Sequence, residues 1–366
     1  MTAKKTDGKI IKTFRAGLLR WNAESNKRQM TWKGEKDPYK IWLSEIILQQ
    51  TRVEQGLGYY QRFVQTFSTI HALAAAPEQQ VFKLWEGLGY YSRCKNLIAT
   101  AKHVSENLNG VFPKTYDEIL ALKGVGPYTA AAIASFAYNL PYAVLDGNVF
   151  RVLSRIFCIE TPIDSTEGKK LFSDLAQQTL DSKKAGEYNQ AIMDFGATIC
   201  KPVPECAHCF FNSSCTAFKN NKQSSLPVKG KAQPLKDRWF HYIILQHGND
   251  VLIRQRTQKD IWQNLYEVLL IEAPKKEDKA TLLLQLEKSY GIAPGDYEVI
   301  SAAANATQKL SHQKIDFSFL HLSLHQKKEV AGMIWFSEKV LSQYPFPKTL
   351  LLFLTRNLGV SGSKFD

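Results

Sequence analysis

The chain has 366 residues, with 47 lysines and arginines against 34 aspartates and glutamates, a formal charge of +13 and a pI of about 9.3. That length allows two or three domains with cores of their own, and the basic excess suits a polyanionic partner, most simply nucleic acid. The longest apolar runs are too short for a bilayer and the opening MTAKKTDGKIIKTF lacks the apolar core of a signal peptide, so neither a membrane protein nor a secreted one is expected.

Residues 9–218 read as helical almost throughout, with apolar residues recurring at three- and four-residue spacing in IIKTFRAGLLRW, YKIWLSEIILQQT and EGKKLFSDLAQQTL. Glu45 lies inside the second of these, in WLSEIILQQ. Apolar neighbours desolvate a carboxyl group and raise its pKa, as a general acid at neutral pH requires; taken alone, a helix-surface glutamate is the plainer reading. The stretch TYDEILALKGVGPYTAAAIASFA (115–137) opens with Thr115 and Glu118 spaced as a capping box. It breaks at Lys123-Gly124-Val125-Gly126 and restarts with Pro127 in the first turn of another helix. Two glycines about one apolar residue permit a tight hairpin with outward-pointing N–H groups, which together with a helix N-terminus bind a phosphate oxygen. This is a helix–hairpin–helix pattern; an ordinary helical turn with two glycines is the alternative. Asp146 stands before the helix GNVFRVLSRIF as an N-cap, where its carboxylate can also face a cleft and stay ionised beside the helix N-terminus. One carboxylic acid to protonate a leaving group and one carboxylate to stabilise an oxocarbenium ion form a glycoside-cleaving pair, but spacing does not bring Glu45 and Asp146 together.

Four of the six cysteines, Cys200, Cys206, Cys209 and Cys215, follow as C-x5-C-x2-C-x5-C. Four thiolates on one loop hold a zinc ion or an iron–sulfur cluster, and a single C-x2-C flanked by lone cysteines suits one [4Fe–4S] cubane better than the paired motifs of zinc ribbons. NKQSSLPVKGKAQP (221–234), polar and with two prolines, reads as a linker. Beyond it, strands are expected over 239–246, 251–256, 268–271 and 315–324, the first two joined at Gly248-Asn249-Asp250, and helices over 281–290 and 337–344. An all-α domain over 1–220 thus precedes an α+β domain over 235–366.

Taken together, the hairpin, Asp146 and the cysteine loop resemble the helix–hairpin–helix superfamily of DNA glycosylases to which endonuclease III belongs. More narrowly the chain is similar to MutY-type adenine DNA glycosylases. The matching stretches are WKGEKDPYKIWLSEIILQQTRV (32–53), GLGYYSRCKNL (87–97), LKGVGPYTAAAI (122–133), DGNVFRVLSR (146–155) and YNQAIMDFGATIC (188–200), covering most of residues 30–215. The last domain resembles, more weakly, the Nudix-like domain of the same family.

The resemblance implies a base-excision enzyme that hydrolyses the N-glycosidic bond of adenine mispaired with 8-oxoguanine or guanine in double-stranded DNA. Glu45 would protonate N7 of the extruded adenine, and Asp146 would stabilise the sugar cation or its adduct. Tyr128 and Asn148 would orient that pair. Gln190, Trp32 and Lys33 would line the adenine pocket, and Gln50 and Tyr90 would wedge into the base stack. Lys123, Gly124, Val125 and Gly126 would grip the phosphate. Leu310-Ser311-His312 would probe the lesion, and the four cysteines would hold a [4Fe–4S] cluster. The lyase relatives carry a lysine where Tyr128 stands; a phenol forms no Schiff base, so a monofunctional enzyme is expected. The chain departs from the pattern in its first cysteine gap, five residues for the usual six, in Thr31-Trp32-Lys33 for Pro-Trp-Arg, and in Leu310 for an aromatic. The acidic Nudix hydrolysis box is absent after residue 256. A glycosylase/lyase for oxidised pyrimidines and a non-catalytic, cluster-bearing damage sensor are the competing readings; Tyr128 argues against the first, and Glu45 with Asp146 against the second. A monomer is expected, cytoplasmic and nucleoid-associated if the source is bacterial.

Overall fold

A computed structural model describes residues 8–230 and 234–360, apart from the side chains of 303–305. Its contacts divide the chain into two compact units: Met1–Ala75 with Asn96–Lys231, and Ala76–Lys95 with Ala232–Asp366.

The chain up to the cysteines is helical, as its periodicity predicts: α1 (Gly8–Glu24), α2 (Pro38–Leu48), α3 (Val53–Thr66), α4 (Ile70–Ala75), α5 (Glu78–Trp85), α6 (Tyr91–Asn107), α7 (Tyr116–Leu120), α8 (Pro127–Tyr138), α9 (Gly147–Phe157), α10 (Thr166–Thr179) and α11 (Ala185–Thr198), with a short α12 (Thr216–Lys219) after Cys215. In the first unit α1 buries Ile11, Phe14, Leu18 and Trp21, one stripe at three- and four-residue spacing. Three of these meet Val149, Val152, Leu153 and Ile156 of α9 and Tyr188, Ile192 and Phe195 of α11 in one core. Each such side chain contributes about 1.5–3 kcal/mol of burial. The segment expected to link the domains follows this unit as far as Gly230. Leu226 is buried in the core, Ile163 N–H donates to the Val228 carbonyl at 3.0 Å, and Gly230 N–H donates to the Asp164 carboxylate.

The second unit is built on a mixed sheet of β1 (Lys236–His247), β2 (Asp250–Gln255), β3 (Tyr266–Glu267), β4 (Leu269–Ala273), β5 (Tyr297–Lys309), β6 (Gln313–Leu324) and β7 (Ile334–Ser337), in the order β3-β2-β1-β6-β5, with β4 on β1 and β7 on β2. β1 and β6 run parallel and the other pairs antiparallel. Phe240–Leu245 is buried without a break, as in a central strand covered on both faces. Helices α13 (Lys279–Tyr290), α14 (Glu338–Leu341) and α15 (Lys348–Leu358) complete it.

Three local expectations are corrected. The turn after β1 is Gly248-Asn249 alone, because Asp250 already pairs with His247. The strand over 268–271 is interrupted at Val268, between β3 on β2 and β4 on β1. The helix over 337–344 shortens to α14. β5, β7 and α15 carried no readable signal: β5 is alanine-rich without alternation, β7 has four residues, and the LLLFL run of α15 fits a strand as well as a helix.

The residues 76–95 join the second unit through named bonds. Glu86, 1% exposed, accepts the Phe346 N–H at 2.8 Å, and Lys83 Nζ donates to the Tyr344 carbonyl at 3.1 Å. Lys95 Nζ reaches Gln263 at 3.2 Å.

Candidate active site

α2 is buried nearly all round. Asp37 caps it by accepting the Tyr39 N–H at 2.9 Å, Pro38 opens it, and every side chain from Ile41 to Ile47 is buried. Glu45 is therefore held among apolar side chains. Desolvation pushes its carboxyl pKa up to about 7, against a hydrogen bond from Tyr128 that lowers it and with Asp146 adding a further push upward. Tyr128, in the first turn of α8, is raised well above an ordinary phenol by burial and by both carboxylates.

Asp146 is the N-cap of α9, as its place before the helix predicts. Oδ1 accepts the Val149 N–H at 2.7 Å and Oδ2 accepts from Asn148 Nδ2 at 2.8 Å. The helix N-terminus was expected to help keep it ionised, yet its pKa is raised: burial outweighs the bonds from Val149 and Asn148 and the nearby Arg151. Asn148 is fixed in turn, its Oδ1 accepting from Arg151 Nη2 at 2.8 Å. α11 approaches so closely here that a Cβ on Gly196 would stand 2.7 Å from the Asn148 Cβ.

Glu45, Tyr128, Asp146 and Asn148 share a cleft of about 710 Å³. Trp32, Lys33, Gln50 and Gln190 line it too, so every pocket residue named from the sequence is brought to one place. Trp32 stacks edge-on against Tyr60, with ring centroids 5.5 Å apart. Lys33 and Gln190 both bond to Asp194, which the sequence did not single out and which is completely buried. Arg28, likewise unforeseen, lines the cleft and pairs with the same carboxylate at 2.9 Å.

Two expected wedge residues have left-handed backbone, Gln50 at φ 58° and Tyr90 at φ 48°. For residues other than glycine this costs of order 1–3 kcal/mol, and such strain concentrates at functional sites. Tyr90 belongs to the second unit, 44% exposed, and its phenol bonds to Ser311 Oγ at 2.6 Å. Leu310-Ser311-His312 form the tight loop between β5 and β6: Leu310 N–H donates to the Gln313 carbonyl at 2.7 Å, and Ser311 and His312 are exposed.

The hairpin is formed as read. Thr115 and Glu118 make the capping box, Gly124 has φ 79°, and Gly126 is the N-cap of α8 without any side-chain cap. A Cβ on Gly124 would meet Asn96 at 2.6 Å. Among the described residues, of the Gly124, Val125 and Gly126 amides only that of Val125 is bonded, to the Leu122 carbonyl at 3.1 Å. Lys123 is exposed, its carbonyl held by Thr100 Oγ1 at 2.8 Å.

Cys200, Cys206, Cys209 and Cys215 line one small cavity floored by Ile156, Phe195 and Phe218. Among the described residues no three His, Cys, Asp or Glu side chains are grouped tightly enough for a single metal ion. Burial raises the Cys209 thiol to about 11 and lifts Cys206 and Cys215, with neighbouring cysteines adding to each shift. N–H groups already face two of the sulfurs: Arg155 Nη1 lies 3.5 Å from Cys200 Sγ, and Phe211 N–H lies 3.4 Å from Cys209 Sγ. Arg155, 3% exposed, also donates to the carbonyls of Lys201, Pro202 and Leu226, and Arg151 Nε donates to that of Cys200 at 2.7 Å. These two arginines were missed, although their four-residue spacing in DGNVFRVLSR places them on one face of α9.

Comparison with known proteins agrees with this geometry. Residues 43–178 match the family described as HhH-GPD superfamily base excision DNA repair protein, and residues 241–356 match a NUDIX domain. The adenine DNA glycosylase of Buchnera aphidicola subsp. Baizongia pistaciae is 37% identical over 69% of this chain and 72% of its own. That of Homo sapiens is 39% identical over 60% of this chain and 42% of its own. Among solved structures, a thermostable thymine-DNA glycosylase is 28% identical with a TM-score of 0.54, covering 58% of this chain and 98% of that one. A trapped endonuclease III–DNA covalent intermediate shares the fold at 18% identity and a TM-score of 0.51, over 58% of this chain and 98% of that one.

Proposed function

The chain belongs to the adenine DNA glycosylases, base excision repair enzymes of the helix–hairpin–helix superfamily, and from that premise we propose that it releases adenine lying opposite 8-oxoguanine or guanine in duplex DNA. The observation that carries this reading is Glu45, a carboxylic acid with a pKa near 7, sharing one cleft with Asp146.

Inside a duplex the reacting atoms are stacked and paired, so adenine must first be extruded into the cleft. Glu45 donates its proton to N7, the C1′–N9 bond breaks with its electrons passing to the base, Asp146 faces the positive charge left on the sugar, and water then adds at C1′ and gives up a proton. Tyr128 holds the Glu45 carboxyl, and Asn148, fixed by Arg151, holds that of Asp146. Trp32, Lys33 and Gln190 enclose the base. Gln50 and Tyr90, held in left-handed conformations, fill the stack. Tyr128 offers no amine, so the product is an unnicked abasic site. The Gly124 and Gly126 amides and the uncapped start of α8 receive a DNA phosphate, with Lys123 beside them.

Adenine is an undamaged base, so selectivity has to come from the base opposite. The loop Leu310-Ser311-His312 is suited to this: Ser311 can accept the N7–H that 8-oxoguanine has and guanine lacks, and its bond to Tyr90 ties the probe to the wedge. The acids Asp260, Glu267 and Glu272 of this unit are engaged by Arg238, Arg254 and Arg256, which supports reading DNA over hydrolysing nucleotides. The cysteine cavity, with its N–H···S donors, fits a [4Fe–4S] cluster held by Cys200, Cys206, Cys209 and Cys215. Bound there it would cross-link the loop through four thiolates. The purified protein should then carry about four iron atoms per chain; zinc in their place would remove this assignment.

The deciding experiment is a single-turnover assay on duplexes holding adenine opposite 8-oxoguanine, guanine or thymine. Release of adenine from the first two, with strand scission only after alkali, is expected. Release of an oxidised pyrimidine with borohydride trapping would favour the lyase reading.

A further inference from the structure

Asp194 is a buried carboxylate behind the cleft wall, and all its acceptor sites face donors. Oδ1 accepts from Arg28 Nη1 at 2.9 Å and from Gln190 Nε2 at 2.9 Å. Oδ2 accepts from Asn26 Nδ2 at 2.8 Å and from Lys33 Nζ at 3.0 Å. A fully buried charge persists only when paired in this way. The consequence for Gln190 is directional. An amide has a donor end and an acceptor end, and which one faces outward is decided by its fixed neighbour. A carboxylate accepts and never donates, so it takes the NH2 end. The alternative rotamer would set the Gln190 carbonyl oxygen against the Asp194 carboxylate, two acceptors with no proton between them. Gln190 lines the cleft, and its Oε1 has no partner among the described residues.

We propose that Asp194 is a positioning residue that fixes Gln190 with its carbonyl oxygen toward the base, so that the cleft selects a purine with an amino group at C6 over one with a C6 carbonyl. This rests on the reading that adenine occupies the cleft, and it goes beyond that reading by assigning base choice to a residue that never touches the base. A site that offers a fixed acceptor rejects a carbonyl because both groups are then left unpaired.

The experiment compares single-turnover rates for adenine and hypoxanthine, each opposite 8-oxoguanine and each opposite guanine. Wild type should prefer adenine. In Asp194→Asn the neighbour carries both a donor and an acceptor, so Gln190 is no longer held one way, and the adenine-to-hypoxanthine rate ratio should fall about tenfold. The double variant Asp194→Asn with Gln190→Glu returns a carboxylate to the cluster of cations. It also presents an acceptor in every orientation, so the ratio should recover to within a few-fold of wild type, a rescue that a scaffolding role for Asp194 does not produce. Gln190→Leu, at a half-buried wall position, tests the same point while keeping the ion pairs of Asp194 with Arg28 and Lys33, and should lose the preference. A ratio unchanged in Asp194→Asn or in Gln190→Leu overturns the inference, as does a double variant that stays low. A wild type that releases no adenine from either duplex overturns the functional reading and this inference together.

Discussion

Glu45 is an acid at neutral pH because its helix is buried all round, and two consequences follow at the scale of that residue. Catalysis needs the protonated form, so the single-turnover rate should decline as pH rises through about 7. Glu45→Gln keeps the shape and loses the proton. It should abolish adenine release while leaving affinity for the mispaired duplex nearly unchanged, which a binding assay beside the kinetic one will separate. The same burial couples the residue to stability. The folded carboxyl holds its proton up to about pH 7, whereas an exposed glutamate titrates near 4.5. Between these values the folded state binds more protons than the unfolded one. This contribution is therefore complete below about pH 4.5 and is lost as pH rises through about 7. Glu45→Gln should flatten that part of the thermal-denaturation profile and leave the variant the more stable of the two above pH 7. Asp146→Asn removes the charge opposite the developing cation and should slow release on the order of a hundredfold.

At the scale of elements, α9 joins the chemistry to the cysteine loop. Its N-cap is Asp146, its first turn holds Asn148, and Arg151 and Arg155 on its following turns hold the carbonyls of residues 200–202. α11 must come close for this, and Gly196 permits it. Gly196→Ala would press a methyl onto Asn148 and should slow adenine release with little change in DNA affinity, a split that kinetics and binding will resolve. The hairpin between α7 and α8 answers to a different measurement. Gly124→Ala places a side chain at φ 79° and against Asn96, so the loop has to move. Affinity should drop about tenfold on any duplex, mispaired or not, because a phosphate contact carries no sequence information.

At the scale of the whole molecule the two units do not follow the order of the chain, since residues 76–95 belong with the C-terminal sheet. A truncation ending at Gly230 would strip Glu86 and Lys83 of their bonds to Phe346 and Tyr344. Limited proteolysis of that fragment should cut first within 76–95, and protection there would show that the segment holds its fold alone. Ser311→Ala, a gentler test of the second unit, removes the bond to the lesion along with the one to Tyr90 and should slow action opposite 8-oxoguanine by a few-fold to tenfold more than action opposite guanine. What the sequence determined by itself is whatever a short contiguous stretch encodes: the helical periods, the capping box at Thr115 and Glu118, the glycines of the hairpin, Asp146 as an N-cap, the cysteine spacing. Local sterics and hydrogen bonding decide these, and a few neighbouring residues are enough to express them. The convergence of Glu45 with Asp146, the bond between Tyr90 and Ser311, the left-handed turn at Gln50, the hub at Asp194 and the upward shift of Asp146 were decided only in the tertiary structure. Each depends on which distant side chains exclude water from the same volume, and burial and pairing across the fold have no local signature along the chain.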